Sequence, residues 1–123
     1  MGVIAWSKAY PARMKARSDA KMDPQGPEAF KDKKAREKLC AVNTPIVEDG
    51  FQKLNKSVQL RPDYDDAMAY LNLLFREKAD CEESAADRKA DLDQAEEWVD
   101  KLMKVKAVKA AKAAAAPAGA ITK

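Results

Sequence analysis

Pro62 constrains this chain more than any other residue, because it stands between two apolar stripes that both repeat at helical spacing. On its N-terminal side Val47, Phe51, Leu54 and Val58 fall at i, i+4, i+7 and i+11, one face of a helix. On its C-terminal side Met68, Leu71, Leu74 and Phe75 form a second such face. A proline cannot extend the first helix and disfavours helical backbone in the residue before it. Leu60-Arg-Pro-Asp-Tyr64 therefore reads as a tight junction between two amphipathic helices that must bury their stripes against neighbours. The expected fold class is all-α.

The 123 residues allow one domain, and the 46% apolar fraction supports a thin core because much of it is alanine. Charged residues of both signs make up 35% of the chain, as on solvent-washed helices. The net charge of +3 is unevenly spread: residues 101–123 hold six lysines and no acid, so residues 1–100 carry 17 basic against 20 acidic side chains. No window approaches the roughly 20 apolar residues of a membrane-spanning helix, so no transmembrane segment is expected. Residues 1–5 are too short for a secretory apolar region, so the chain as given reads as cytoplasmic by default. With no histidine and only Cys40 and Cys81, neither a thiol–imidazole pair nor a typical zinc site is implied, and no cofactor is expected. Both cysteines read as inert small hydrophobes, since a disulfide needs an oxidising compartment that the sequence does not demonstrate.

Val3, Trp6, Tyr10 and Met14 share one face of a first helix, which Pro11 is expected to kink or break. Met22-Asp-Pro-Gln-Gly-Pro-Glu28 reads as a loop. A charge-rich helix is expected over residues 31–41, and Asn43-Thr44-Pro45 signals the start of a new one running to Pro62. Gly50 sits inside that helix at a propensity cost of about 1 kcal/mol, which suggests close helix approach. Asp63, Asp65 and Asp66 read as caps of the next helix, residues 65–79, because the spacing and terminal glutamate of a calcium loop are missing. Leu92, Ala95, Val99 and Leu102 mark a last helix, expected to cover Phe75. About four to five helices result. Beyond Lys106 the Ala/Lys tract reads as a fraying helix and a disordered tail, giving a helical domain over 1–106 and a tail over 107–123.

Gly50, Leu54, Ser57 and Pro62 resemble the second-helix and closing positions of a tetratricopeptide repeat, and Leu71 and Phe75 resemble the large first-helix positions of the next. Ala95, Val99 and Leu102 are similar to the second helix of that same repeat. Asn72 stands where the family prefers a very small residue, and the connections before Gly50 and after Phe75 exceed a repeat of roughly 34 residues. Gly2-Val-Ile-Ala-Trp6, Tyr64 to Lys78 and Ala95-Glu-Glu-Trp-Val-Asp100 together resemble the C-terminal part of multi-repeat proteins of this family common in acidobacteria. The resemblance covers about half the chain. It implies antiparallel helical hairpins in a short α-solenoid, with two atypical repeats of which the first is incomplete at its N-terminus. It also implies that the chain is a C-terminal fragment or a shortened form. As a fragment of an exported protein it would be periplasmic or lipoprotein-anchored. An incomplete first repeat leaves an apolar N-terminal helix face available for self-association.

The function implied is a non-enzymatic scaffold presenting a groove to a protein or peptide. First helices line the inner surface of such repeats, so Asp66, Tyr70, Asn72 and Arg76 are the candidate partner-binding residues, each of which also reads as ordinary surface or core. The alternative is nucleic-acid binding through residues 101–112, where Lys101, Lys104, Lys106, Lys109 and Lys112 could neutralise phosphates. The tail's lack of arginine and aromatics disfavours it. An enzyme has least support, because histidine, a Gly-rich phosphate loop and a metal-ligand constellation are all missing from the sequence.

Overall fold

The computed structural model describes residues 2–26 and 28–115, with side chains from residue 4 onward. These residues form four helices and no strand, an all-α fold. Helix α1 (Gly2–Asp19) runs unbroken past Pro11, whose ring is exposed. Its buried row is Ala5, Ala9 and Arg17, while Trp6, Tyr10 and Met14 of the expected face are half-buried. Ala5 and Ala9 lie before the proline and Arg17 after it, all in one phase of four, so both halves anchor on the same neighbours. At its end Lys21 adopts φ 61°, and the amides of Lys21 and Met22 donate to the carbonyls of Ser18 and Arg17, each at 2.9 Å. That is a Schellman stop.

Helix α2 (Lys33–Leu60) is a single helix through Pro45, where two were expected. Leu39, Asn43, Val47, Gly50 and Leu54 are all buried in one continuous phase across the proline. Burial on both sides therefore offsets the one backbone bond that Pro45 cannot make. The helix starts at Asp32, whose Oδ1 accepts from the amides of Lys34 and Ala35 at 2.9 and 3.3 Å. It stops just before Pro62, as the junction requires.

Helix α3 (Asp65–Ala79) has the expected bounds, but its N-cap is Tyr64, which makes no side-chain cap hydrogen bond. Asp65 and Asp66 occupy the first turn, where they complement the helix dipole, and Asp65 accepts from Lys109 Nζ at 2.9 Å. Helix α4 (Ala85–Ala115) starts at Ser84, whose Oγ accepts from the Asp87 amide at 3.0 Å. Residues 107–115, expected to fray or belong to a tail, are helical. Alanine and lysine are good helix formers, and the Lys109–Asp65 pair holds this stretch onto α3. The rest of the expected tail, 116–123, lies outside the described residues.

Paired residues fix the directions. Ala9 meets Asn43 and Ala5 meets Gly50, so α1 and α2 are antiparallel. Arg76 meets Glu96 and Asp65 meets Lys109, so α3 and α4 are antiparallel. Trp6 lies near Tyr70 and Arg13 binds Glu77, so α1 and α3 run parallel. Helix α3 packs against all three others, and α4 packs on α3. Leu71 and Leu74, both 0% exposed, form the centre of the core with Ala5, Ala9, Val47, Leu54 and Ala67. Phe75, expected to face α4, has as its ring partner Phe51 of α2, with centroids 4.6 Å apart.

The two cysteines are not inert hydrophobes. Cys40 in α2 and Cys81 in the turn after α3 form a disulfide with Cα atoms 5.6 Å apart and a sequence separation of 41. In the chain-entropy account, closing a loop of this length destabilises the unfolded state by about 4 kcal/mol.

Helices α1, α2 and α3 approach one another tightly at Gly50. A Cβ built there would lie 2.7 Å from Ala5 Cβ and 2.7 Å from Leu74 Cδ1. Leu74 can rotate, but the Ala5 Cβ moves only with its backbone. Gly50→Ala gains about 1 kcal/mol of helix propensity and loses about 1–3 kcal/mol to overpacking. The expected outcome is a lower urea midpoint with an unchanged slope; an increase in stability would show that α1 and α2 are not held this close.

Candidate functional site

Because α1 and α3 run parallel, their side chains form a shared face with two distinct regions. Towards the N-terminal ends the Trp6 and Tyr10 rings stack with centroids 4.9 Å apart, and Tyr70 lies 6.3 Å from Trp6. All three are half-buried, and Arg13 lies over the Tyr10 ring at 5.8 Å. These aromatics offer apolar area with polar edges, as recognition surfaces commonly do.

The four candidate residues do not converge. Tyr70 joins the aromatic face, and Asp66, one turn earlier, is exposed on the same side of α3. Asn72 and Arg76 lie on the flank towards α4, where Arg76 Nε donates to Asn72 Oδ1 and its Nη2 to Glu96 Oε1, both at 2.9 Å. Asn72 thereby steadies Arg76 from the same helix, and Arg76 makes the link to α4.

Towards the other end the same face becomes a buried charge cluster. Asp80 is 2% exposed, and its Oδ2 accepts from Arg13 Nη1 at 2.9 Å and from Arg17 Nη1 at 3.0 Å. Its Oδ1 accepts from Arg88 of α4. Arg17, 0% exposed, also donates to the carbonyls of Asp23 and Gly26 at 3.2 and 2.9 Å, pinning the loop that follows α1. Arg13 Nε donates to Glu77 Oε2 at 2.7 Å. The cluster is invisible as an apolar stripe, since its members are charged. The available signal was that Arg13 and Arg17 continue the Ala5–Ala9 row at intervals of four, and that Glu77 and Asp80 continue the Leu71–Leu74 row at intervals of three.

The two carboxyl groups of the cluster have opposite environments. Asp80 is buried, but three guanidinium groups hold its carboxyl below the usual range. Glu77 is pushed from its ordinary 4.5 up to about 7, since burial outweighs the attraction of Arg13 and the Asp80 charge adds to the effect. Its Oε1 is buried without a hydrogen-bond partner, as is Asn43 Oδ1 on the facing helix. A proton on Glu77 converts one of these acceptors into a donor. Glu77 also lines a recess of about 230 Å³ with Thr44, Val47 and Cys81, large enough for water.

Comparison of the chain with protein-family models, with curated proteins and with solved structures finds no match. Among the described residues no helix is long and apolar enough to cross a membrane.

Glu77 holds its proton more tightly in the folded chain than in the unfolded one, so folding takes up a proton between about pH 4.5 and about pH 7. Its contribution to stability is present below that window and is lost as pH rises through it, by no more than about 3 kcal/mol. Asp80 acts in the opposite sense, stabilising above its unfolded value and losing that contribution in acid. With no histidine in the chain, Glu77 should dominate the neutral range. Urea midpoints should fall from about pH 5 to about pH 8, and Glu77→Gln should flatten that slope. An equal slope in the variant would remove Glu77 as its source.

Proposed function

We propose that this chain is a tetratricopeptide-type interaction module, in which α1 and α2 form one hairpin and α3 and α4 the next. The observation that carries this reading is Gly50, where the second helix of one hairpin meets its own first helix at Ala5 and the next first helix at Leu74. Stacked helical repeats need a small residue at such a triple approach, because each hairpin buries its apolar face only by closing on its neighbour. Further support comes from α3 packing on both helices of the preceding hairpin, and from the Pro62 junction between the hairpins. The Cys40–Cys81 bridge favours an oxidising compartment, and so the exported alternative.

In a repeat of this type the first helices line the binding groove. Trp6, Tyr10 and Tyr70 are then the anchors for a protein or peptide, with Asp66 at the rim. Asn72 and Arg76, occupied with each other and with Glu96, are structural in this reading. The nucleic-acid alternative is weakened because Lys109 is paired with Asp65 and Lys101 lies over the Trp98 ring at 4.4 Å.

Peptides selected from a display library against the folded chain should shift the amide and side-chain resonances of Trp6 and Tyr70. Tyr70→Ala, checked for an intact fold by circular dichroism, should weaken them about tenfold or more. Shifts confined to residues 101–115, with steeply salt-dependent binding of duplex DNA, would favour the nucleic-acid reading instead.

A further inference from the structure

Helix α4 is covered on the side that meets α3, where Asp91 and Ala95 are buried. The opposite stripe, Ala86, Ala90, Glu97, Lys104, Ala111 and Ala115, is exposed throughout. Charge is segregated along the helix: residues 91–100 carry five acids and no base, and residues 101–115 carry five lysines and no acid. Pairs four residues apart close on the surface elsewhere, as in Lys15–Asp19, Lys53–Asp49 and Lys89–Asp93. Glu97–Lys101 and Asp100–Lys104 have the same separation, with the acid first as a helix favours, yet neither pair closes among the described residues. Met103 adds exposed apolar area beside the stripe and Val108, four residues after Lys104, within it, at 60% and 53% exposure.

The stripe has a symmetry that solvation alone does not call for. Reversing the helix exchanges Glu97 with Lys104, Ala90 with Ala111 and Ala86 with Ala115, and sets Asp93 against Val108, the one mismatched pair on this face. A two-fold interface requires such self-complementarity. With the axis between Asp100 and Lys101, two antiparallel copies of α4 place Glu97 of each against Lys104 of the other. Alanines then face alanines at both ends, where small side chains let the backbones approach.

We propose that the outer face of α4 is a self-association surface on which a second copy of this chain docks antiparallel, held by reciprocal Glu97–Lys104 pairs. The charge pattern selects this occupant: an acidic partner would meet the 91–100 half unfavourably, and a basic one the 101–115 half. The surface lies on α4, apart from the aromatic face of α1 and α3 and from the N-terminal helix face considered in the sequence.

Sedimentation velocity of the whole chain over a concentration series tests it. The expected result is a monomer–dimer equilibrium that weakens between about 0.05 and about 0.5 M salt. Glu97→Lys and Lys104→Glu each place like charges together twice and should weaken the dimer about tenfold or more. The double variant E97K/K104E restores opposite pairs and should recover it. Both positions are exposed, and circular dichroism verifies that each variant folds. A monomer at every concentration, a dimer indifferent to the single reversals, or no recovery in the double variant would overturn the proposal.

Discussion

Asp80 and Cys81, adjacent in the turn between α3 and α4, gather the rest of the fold. The Asp80 carboxylate takes hydrogen bonds from Arg13 and Arg17 of α1 and from Arg88 of α4. The next residue is bonded through its sulfur to Cys40 of α2. Two successive side chains thus reach all three helices that pack around α3. Apolar burial does the same at the centre of the core, but it is non-directional and would tolerate sliding of one helix past another. A carboxylate with three guanidinium groups has one register that satisfies them, and Arg17, fully buried, has Asp80 as its carboxylate and the Asp23 and Gly26 carbonyls as its other acceptors. Burying charge costs desolvation that pairing only partly returns. Its main effect here is to fix how far α1 lies along α3, and hence where Trp6 meets Tyr70.

Much of this architecture is legible in the chain. The stripes on either side of Pro62 locate the α2–α3 junction, the bounds of α3 follow from its spacing, and Gly50 marks the close approach. What was not legible of the helices has a common cause: the buried rows pass through polar residues. Asn43 interrupts the apolar row of α2 only in chemistry, since its amide reaches the Ala9 carbonyl at 3.0 Å and keeps the phase from Leu39 to Val47. Without it, Asn43-Thr44-Pro45 looks like a helix start. Arg13 and Arg17 extend the α1 row in the same way past Pro11. The disulfide was hidden for a different reason: a pair of cysteines 41 residues apart says nothing in sequence about whether they meet or in which compartment.

The proposed binding face and the proposed self-association face are different surfaces. The aromatic face depends on the α1–α3 register that Asp80 sets. The outer face of α4 depends only on that helix being continuous, and Lys109–Asp65 secures its basic half against α3. Of the four candidate residues, Tyr70 and Asp66 remain on a face that a partner can reach, while Arg76 links α3 to Glu96 of α4 and Asn72 hydrogen-bonds Arg76. Sequence spacing could not separate these roles, since all four lie on one helix and differ only in which neighbour they meet.

The most direct test of the Asp80 node is a double-mutant cycle on unfolding free energy with Arg17→Met and Asp80→Asn. Asp80→Asn leaves the buried Arg17 guanidinium without its carboxylate and should cost about 3–5 kcal/mol. Arg17→Met leaves Asp80 paired with Arg13 and Arg88 but takes the donor from the Asp23 and Gly26 carbonyls, and should cost about 1–3 kcal/mol. The expected result is that the double variant loses less than the two single losses combined, by about 1–3 kcal/mol. Additivity to within about 0.5 kcal/mol would contradict the account, because Arg17 and Asp80 would then not act as one unit in setting the register of α1 on α3.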